Sequence, residues 1–264
     1  MSRKALCVGI NNYPGTENDL SGCVNDANDW AGALKTRGYK VTLLHDKDAT
    51  RANIVAELTG LLAGAAKEDN LVFTYSGHGS WVPDENGDEA DGRDEMLCPY
   101  DINKSQYLLD DDLATIFAKK PEGARLTFIS DSCHSGTVTR FAPEPLAGDM
   151  KLQPRIRFLP PEVFLKSKDE ILAARRVALI GRSIRQKYPA LLVAACTDLQ
   201  YSYDAHFHGR PNGAFSYWAI KELDKKPETP KLWMKAIRTH LPTAVYPQNP
   251  RLYGSTAAKN GAMF

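Results

Sequence analysis

Five short apolar runs constrain this 264-residue chain more than any other feature: "ALCVGI" (5–10), "VTLLH" (41–45), "LVFTYSG" (71–77), "LTFIS" (126–130) and "LLVAAC" (191–196). Each is apolar along its length rather than at alternate positions, the pattern of strands covered on both faces. Helical patterns separate them. The first spans 24–37, with Ala27, Trp30, Ala31 and Leu34 on one face, and the others span 50–65 and 111–120. Gly38 closes the first, and Thr50 and Asp111 stand as caps of the second and third. Strands alternating with helices imply βαβ units, and hence an α/β fold with a mainly parallel sheet carrying helices on both faces. Two amphipathic helices, "NGAFSYWAIKELD" and "KLWMKAIRTHL", and a proline-punctuated tail, "YPQNPRLYGS", follow the fifth strand.

Residues 137–190 break the alternation. This stretch holds Pro143, Pro145, Pro154, Pro160, Pro161 and Pro189 and a run of cations that includes Lys151, Arg155, Arg157, Lys166 and Lys168. Its plainest reading is a solvated surface excursion with one helix near 161–186.

Composition narrows the function classes. A net charge of +1 generates no field that would draw in nucleic acid or an anionic membrane, so neither is expected as a partner. The N-terminal residues lack a signal-peptide pattern, and no apolar run approaches the ~18 to 20 residues of a membrane span; cytoplasmic localisation is the expectation. The five cysteines, Cys7, Cys23, Cys98, Cys133 and Cys196, form no CxxC pair, which argues against a disulfide framework and a zinc cluster. Cys7 and Cys196 sit in apolar runs and are expected as packing residues.

Ligands of parallel sheets gather at the carboxyl ends of the strands. Two of the segments leaving those ends are "SGHGS", with His78, and "SDSCHSG", with Cys133. Thiol-based peptide hydrolysis needs a thiolate, an imidazole to move its proton, and backbone N–H groups facing the oxyanion. If strands three and four are neighbours, Cys133 and His78 project over one sheet edge, and the amides of Gly79 and Cys133 can form the oxyanion hole. The histidine precedes the cysteine by 55 residues, the caspase-type order. His134 points the other way along an extended segment and is secondary.

"YSGHGS" and "DSCHSG", with "GCVNDANDW" in the first helix and the late "GAFSYW" and "QNPRL", resemble the metacaspases, cysteine peptidases of the caspase–hemoglobinase fold. The resemblance covers nearly the whole chain apart from 137–190. It implies a three-layer sandwich forming a single caspase-like peptidase domain over 1–264: a large-subunit-like part (1–136), the basic insertion (137–190) and a small-subunit-like part (191–264). It implies a type I-like or prokaryotic form acting as a monomer, a Cys133–His78 dyad without a third member, and substrates cut after Arg or Lys. A guanidinium pocket needs carboxylates at close range, and the family's pocket positions match Asp26, Asp131 and Ser76. Asp26 also reads locally as a first-turn helix charge and Asp131 as a turn residue. No cofactor is implied for the chemistry, but Ca²⁺ is implied as an activator, its ligands matching Asp94, Asp110 and Asp111 in an acidic region that also reads as a solvated loop. Where the family has a fourth ligand, "GTVTRF" offers Thr139 and Arg140. A basic insertion close to an Arg/Lys-directed site suggests self-cleavage, with Arg175, Arg176, Arg182, Arg185 and Lys187 as candidates. A catalytically silent caspase-like binding module, and a metal-binding protein using His78, Cys133 and His134, stay open as alternatives.

Overall fold

The computed structural model describes residues 1–83, 93–133, 153–167, 169, 188–197 and 200–264. In chain order the strands are β1 (Arg3–Gly9), β2 (Lys40–His45), β3 (Asn70–Ser76), β4 (Gly79–Pro83), β5 (Arg93–Leu97), β6 (Leu108–Leu109), β7 (Arg125–Asp131), β8 (Arg155–Ile156), β9 (Leu191–Ala194), β10 (Tyr203–Phe207), β11 (Arg210–Gly213) and β12 (Arg251–Tyr253). The helices among the described residues are α1 (Cys23–Lys35), α2 (Arg51–Ala63), α3 (Asp110–Phe117), α4 (Ala214–Asp224), α5 (Pro230–Ile237) and α6 (Thr256–Asn260).

Six strands form the main sheet in the order β12-β9-β7-β3-β1-β2, all parallel except β12, which runs antiparallel to β9. The five apolar runs supply β1, β2, β3, β7 and β9. Their side chains divide with the period of two that a strand imposes. Leu6, Val8, Phe73 and Phe128 pack against Ile54 and Leu58 of α2 and Leu113 and Phe117 of α3, with Phe73 stacked on Phe128 at 4.9 Å. On the opposite face Ala5, Cys7, Val72 and Ile129 meet Trp30 and Leu34 of α1, Phe215 of α4 and Trp233 of α5. Helices thus cover both faces of the central strands, which accounts for the missing polar alternation there, while the edge strand β2 leaves Lys40 and Thr42 exposed. Burying each large side chain here contributes roughly 1.5–3 kcal/mol.

Two small antiparallel sheets, β4-β5-β6 and β11-β10-β8, flank the carboxyl edge of the main one. The parallel register pairs Ser76 with Asp131, so the segments carrying His78 and Cys133 leave adjacent strands at the same level.

Helix ends differ in detail from expectation. Thr50 Oγ1 accepts from Asn53 N at 3.3 Å, as a cap should. α3 begins a residue earlier than expected, with Leu109 at its N-cap, so Asp111 lies in its first turn rather than capping it. The larger difference concerns the basic stretch. Its described part is not a solvated excursion: Arg157, Phe158, Leu159 and Phe164 are buried, β8 pairs with β10, and Pro161–Val163 form one 3-10 turn. The remainder of the helix expected near 161–186 lies almost entirely outside the described residues. No helix among them is long and apolar enough to cross a membrane.

Candidate active site

His78 stands just past β3, between the carboxyl end of the sheet and β4, and is buried. Its backbone N–H donates to the Tyr13 hydroxyl at 2.7 Å, and the two rings lie 4.6 Å apart. Nε2 lies 2.6 Å from the carbonyl oxygen of Asn18. A carbonyl can only accept, so that contact places the proton on Nε2 and leaves Nδ1 as the basic nitrogen. Nδ1 is buried and has no hydrogen-bond partner among the described residues. Burial pulls the imidazole pKa down to about 4, against the opposing pull of the Asn18 carbonyl, so the ring is neutral near pH 7.

Cys133 follows β7 by two residues and is likewise buried. Its Sγ lies 2.6 Å from Ser202 N and 3.4 Å from Ser202 O, so the main chain of Ser202 is the thiol's neighbour in this state. The amides of Gly79 and Cys133 both donate to one acceptor, the carbonyl oxygen of Arg157, at 3.0 and 3.2 Å. Two N–H groups converging on one oxygen is the arrangement that stabilises an oxyanion.

The side chain of that same Arg157 enters a pocket closed off from solvent. Its Nη2 lies 2.6 Å from Asp26 Oδ2 and 3.0 Å from Asp204 Oδ1, while Nη1 lies 3.1 Å from Asp131 Oδ2 and 3.2 Å from Asp131 O. Ser76 sits beside Asp131 in the register and is buried with it. Helix ends hold the carboxylates in place. Asp204 accepts from Ser21 N at 2.7 Å and from Gly22 N at 3.0 Å at the start of α1. Asp131 accepts from Ser216 N at 3.0 Å and Ser216 Oγ at 2.7 Å in the first turn of α4, and also from Ser202 Oγ. Asp26 accepts from Asn212 Nδ2 at 2.9 Å and Gly213 N at 3.0 Å. Two helix N-termini therefore point their unpaired N–H groups at the negative charge. Three carboxylates still outnumber one guanidinium. Burial and then Asp131 push the Asp26 carboxyl up to about 7, with Arg157 opposing the rise. Burial also disfavours the charged form of Arg157, but Asp131, Asp26 and Asp204 outweigh it and the guanidinium stays ionised.

The sequence singles out Asp26, Ser76 and Asp131 but neither Asp204 nor Arg157. Asp204 carried only the weak signal of a lone acid in the strand-like "YSYDA", and Arg157 was one cation among many. Asp94 lies in β5 and Asp110 and Asp111 lie at the start of α3, two elements joined through the β5–β6 ladder that pairs Met96 with Leu109. Among the described residues, no group of three His, Cys, Asp or Glu side chains is placed to hold a metal ion. His134, Thr139, Arg140, Arg175, Arg176, Arg182, Arg185 and Lys187 lie outside the described residues.

Comparison with known proteins places the chain in a family. Residues 3–142 match the model of the metacaspase, peptidase C14 domain. Metacaspase-1 of Cryptococcus neoformans is 34% identical, across 99% of this chain and 64% of its own length, so the chain spans a little under two thirds of that relative. Metacaspase-1 of Scheffersomyces stipitis is 34% identical, across 95% of this chain and 70% of its own length. A crystal structure of a Geobacter sulfurreducens protein superposes with a TM-score of 0.74 at 28% identity, covering 100% of both chains. Caspase-1 of Spodoptera frugiperda superposes with a TM-score of 0.57 at 13% identity, covering 96% of this chain and 86% of its own, which speaks for the fold alone.

Proposed function

The chain belongs to the metacaspase family of C14 peptidases, and from that premise we propose that it is a cysteine endopeptidase that cuts peptide bonds after arginine or lysine with Cys133 and His78, and that it processes itself. One observation carries this reading: a guanidinium lies among Asp26, Asp131 and Asp204 while the carbonyl of the same residue lies between the amides of Gly79 and Cys133. Side-chain pocket and oxyanion site are thus spaced by one residue of extended chain, as a P1 residue requires.

The chemistry follows from the atoms present. His78 Nδ1 takes the thiol proton of Cys133, and the sulfur attacks the scissile carbonyl. Gly79 N–H and Cys133 N–H hold the developing oxyanion. The protonated His78 then gives its proton to the leaving amine, and water hydrolyses the thioester. The three carboxylates select a basic P1 side chain by charge, and an aspartate there would meet like charges at close range. Calcium enters this reading only as an activator through Asp94, Asp110 and Asp111, and no step is routed through it.

The test is hydrolysis of a peptide panel bearing Arg, Lys or Asp at P1, with calcium and with chelator, by the wild type and by Cys133→Ala. Cleavage after Arg and Lys alone, abolished in the mutant, is the expected result. Cleavage after Asp, or activity that survives in Cys133→Ala, overturns the reading. No cleavage under any condition, with Cys133 unreactive toward a thiol-directed probe, favours a silent binding module instead.

A further inference from the structure

Resting on that reading, we infer that the Arg157–Phe158 peptide bond is the chain's own first substrate, held in its own active site and cut there. Independent contacts place this stretch as a substrate lies, on both sides of that bond. On the amino side, β8 adds antiparallel to β10, with Ile156 opposite Tyr203 and Arg155 opposite Asp204, and Arg157 N donates to Ser202 O at 2.9 Å. This is strand addition to a sheet edge, the mode by which extended peptides bind. At the bond itself, the Arg157 carbonyl accepts from both Gly79 N and Cys133 N. On the carboxyl side, Leu159 N donates to Gly79 O at 3.0 Å, and Ser80 Oγ donates to Leu159 O at 2.6 Å.

A purely structural arginine would need its three ion pairs and nothing more. Here its backbone is gripped as well, and by the residues that the chemistry uses. Arg175, Arg176, Arg182, Arg185 and Lys187 lie outside the described residues, and Arg157 lies within them, placed as described.

The step balances without any group beyond water. Cys133, its proton passed to His78, attacks the Arg157 carbonyl carbon, and a C–S bond forms. The Arg157–Phe158 C–N bond breaks as His78 returns the proton to the Phe158 nitrogen. Water then splits the thioester, leaving an Arg157 carboxylate and a new amino terminus at Phe158. In the uncut chain the sulfur is engaged with Ser202, so it turns about its Cα–Cβ bond before attack. Until the bond is cut, Arg157 also excludes any other P1 side chain from the pocket.

The experiment uses intact-mass analysis and N-terminal sequencing of the full chain with and without calcium, alongside hydrolysis of an Arg peptide. Wild type, Cys133→Ala and Phe158→Pro are compared. Proline at 158 leaves Arg157 in place, spares the hydrogen bonds of Gly79 N and Leu159 N, and makes the bond a poor substrate. The expected result is a wild-type cut between Arg157 and Phe158 whose first-order rate does not depend on protein concentration. Cys133→Ala stays whole, and Phe158→Pro is uncut at this bond and at least tenfold slower on the peptide. Wild type that hydrolyses the peptide while the 157–158 bond stays intact in every molecule overturns the inference and leaves the proposed function standing. Absence of peptide hydrolysis by wild type in every condition instead removes the reading on which the inference rests.

Discussion

Asp26, Asp131 and Asp204 share one guanidinium, and they meet it at different nitrogens. Asp131 binds Nη1, while Asp26 and Asp204 both reach Nη2. An arginine can satisfy all three because its donors are fixed in a planar fork, whereas a lysine ammonium is a single point. Asp204→Asn in the processed protein is therefore expected to lower kcat/KM for an Arg peptide by about 10- to 100-fold, the range for one charge-assisted hydrogen bond, and to lower it less for a Lys peptide. The Arg-to-Lys ratio of kcat/KM checks this, since loss of overall stability would reduce both alike. An unchanged ratio removes Asp204 from P1 selection.

Secondary structure supplies both the positions of these groups and the glycines that let them meet. Gly22 and Gly213 open α1 and α4 with no side chain of their own to cap the helix, and carboxylates from elsewhere fill the role: Asp204 at Gly22, Asp26 at Gly213. A Cβ at Gly22 would stand 2.7 Å from both Asp204 Oδ1 and the Asn212 Cα. Gly22→Ala is expected to destabilise the fold by about 1–3 kcal/mol, the usual penalty for forcing atoms into a packed site, and urea midpoints measure it; a midpoint equal to wild type would show that the approach is looser than described. At this scale the sequence is only partly legible. Strands buried on both faces announce themselves because apolar residues run consecutively through their middles, so β1, β3 and β7 are legible nearly to their ends. Strands β8, β10, β11 and β12 are short, carry polar residues and gain their form only by pairing with distant partners, so nothing local marks them. His78 and Cys133 could be named because glycine-rich turns sit at strand ends. Arg157 could not, since its meaning depends on an approach to Asp26 across 131 positions of chain.

Over the whole molecule, two buried groups pull stability in opposite directions with pH. The Asp26 carboxyl is raised from 3.8 to about 7 by burial, so the fold binds its proton more tightly than the unfolded chain does, and stability is lost as pH rises through that window. The His78 imidazole is lowered from 6.5 to about 4, again by burial, so stability is lost as pH falls through that window. Between pH 4 and 6.5 the two slopes oppose each other. In a Cys133→Ala background, which keeps the chain whole, His78→Gln removes one of them. Relative to its parent, that variant is expected to gain stability on acidification from pH 6.5 to 4, by up to about 1.4 kcal/mol per pH unit, the value for one proton. Asp26→Asn is expected to do the reverse. Denaturant titrations at pH 4.5, 5.5, 6.5 and 7.5 test both signs, and parallel curves for all three proteins would show that neither group is linked to folding.

Arg157 has one more consequence, for how such a pocket comes to exist. Three carboxylates assembled with nothing between them repel one another and lose their hydration, and an uncompensated charge in a buried site is strongly destabilising. A chain that brings its own guanidinium to the site folds the pocket around a counterion. The acidity of the site is thereby freed from the limit that folding it empty would set. Arg157 is in this sense a template for the pocket.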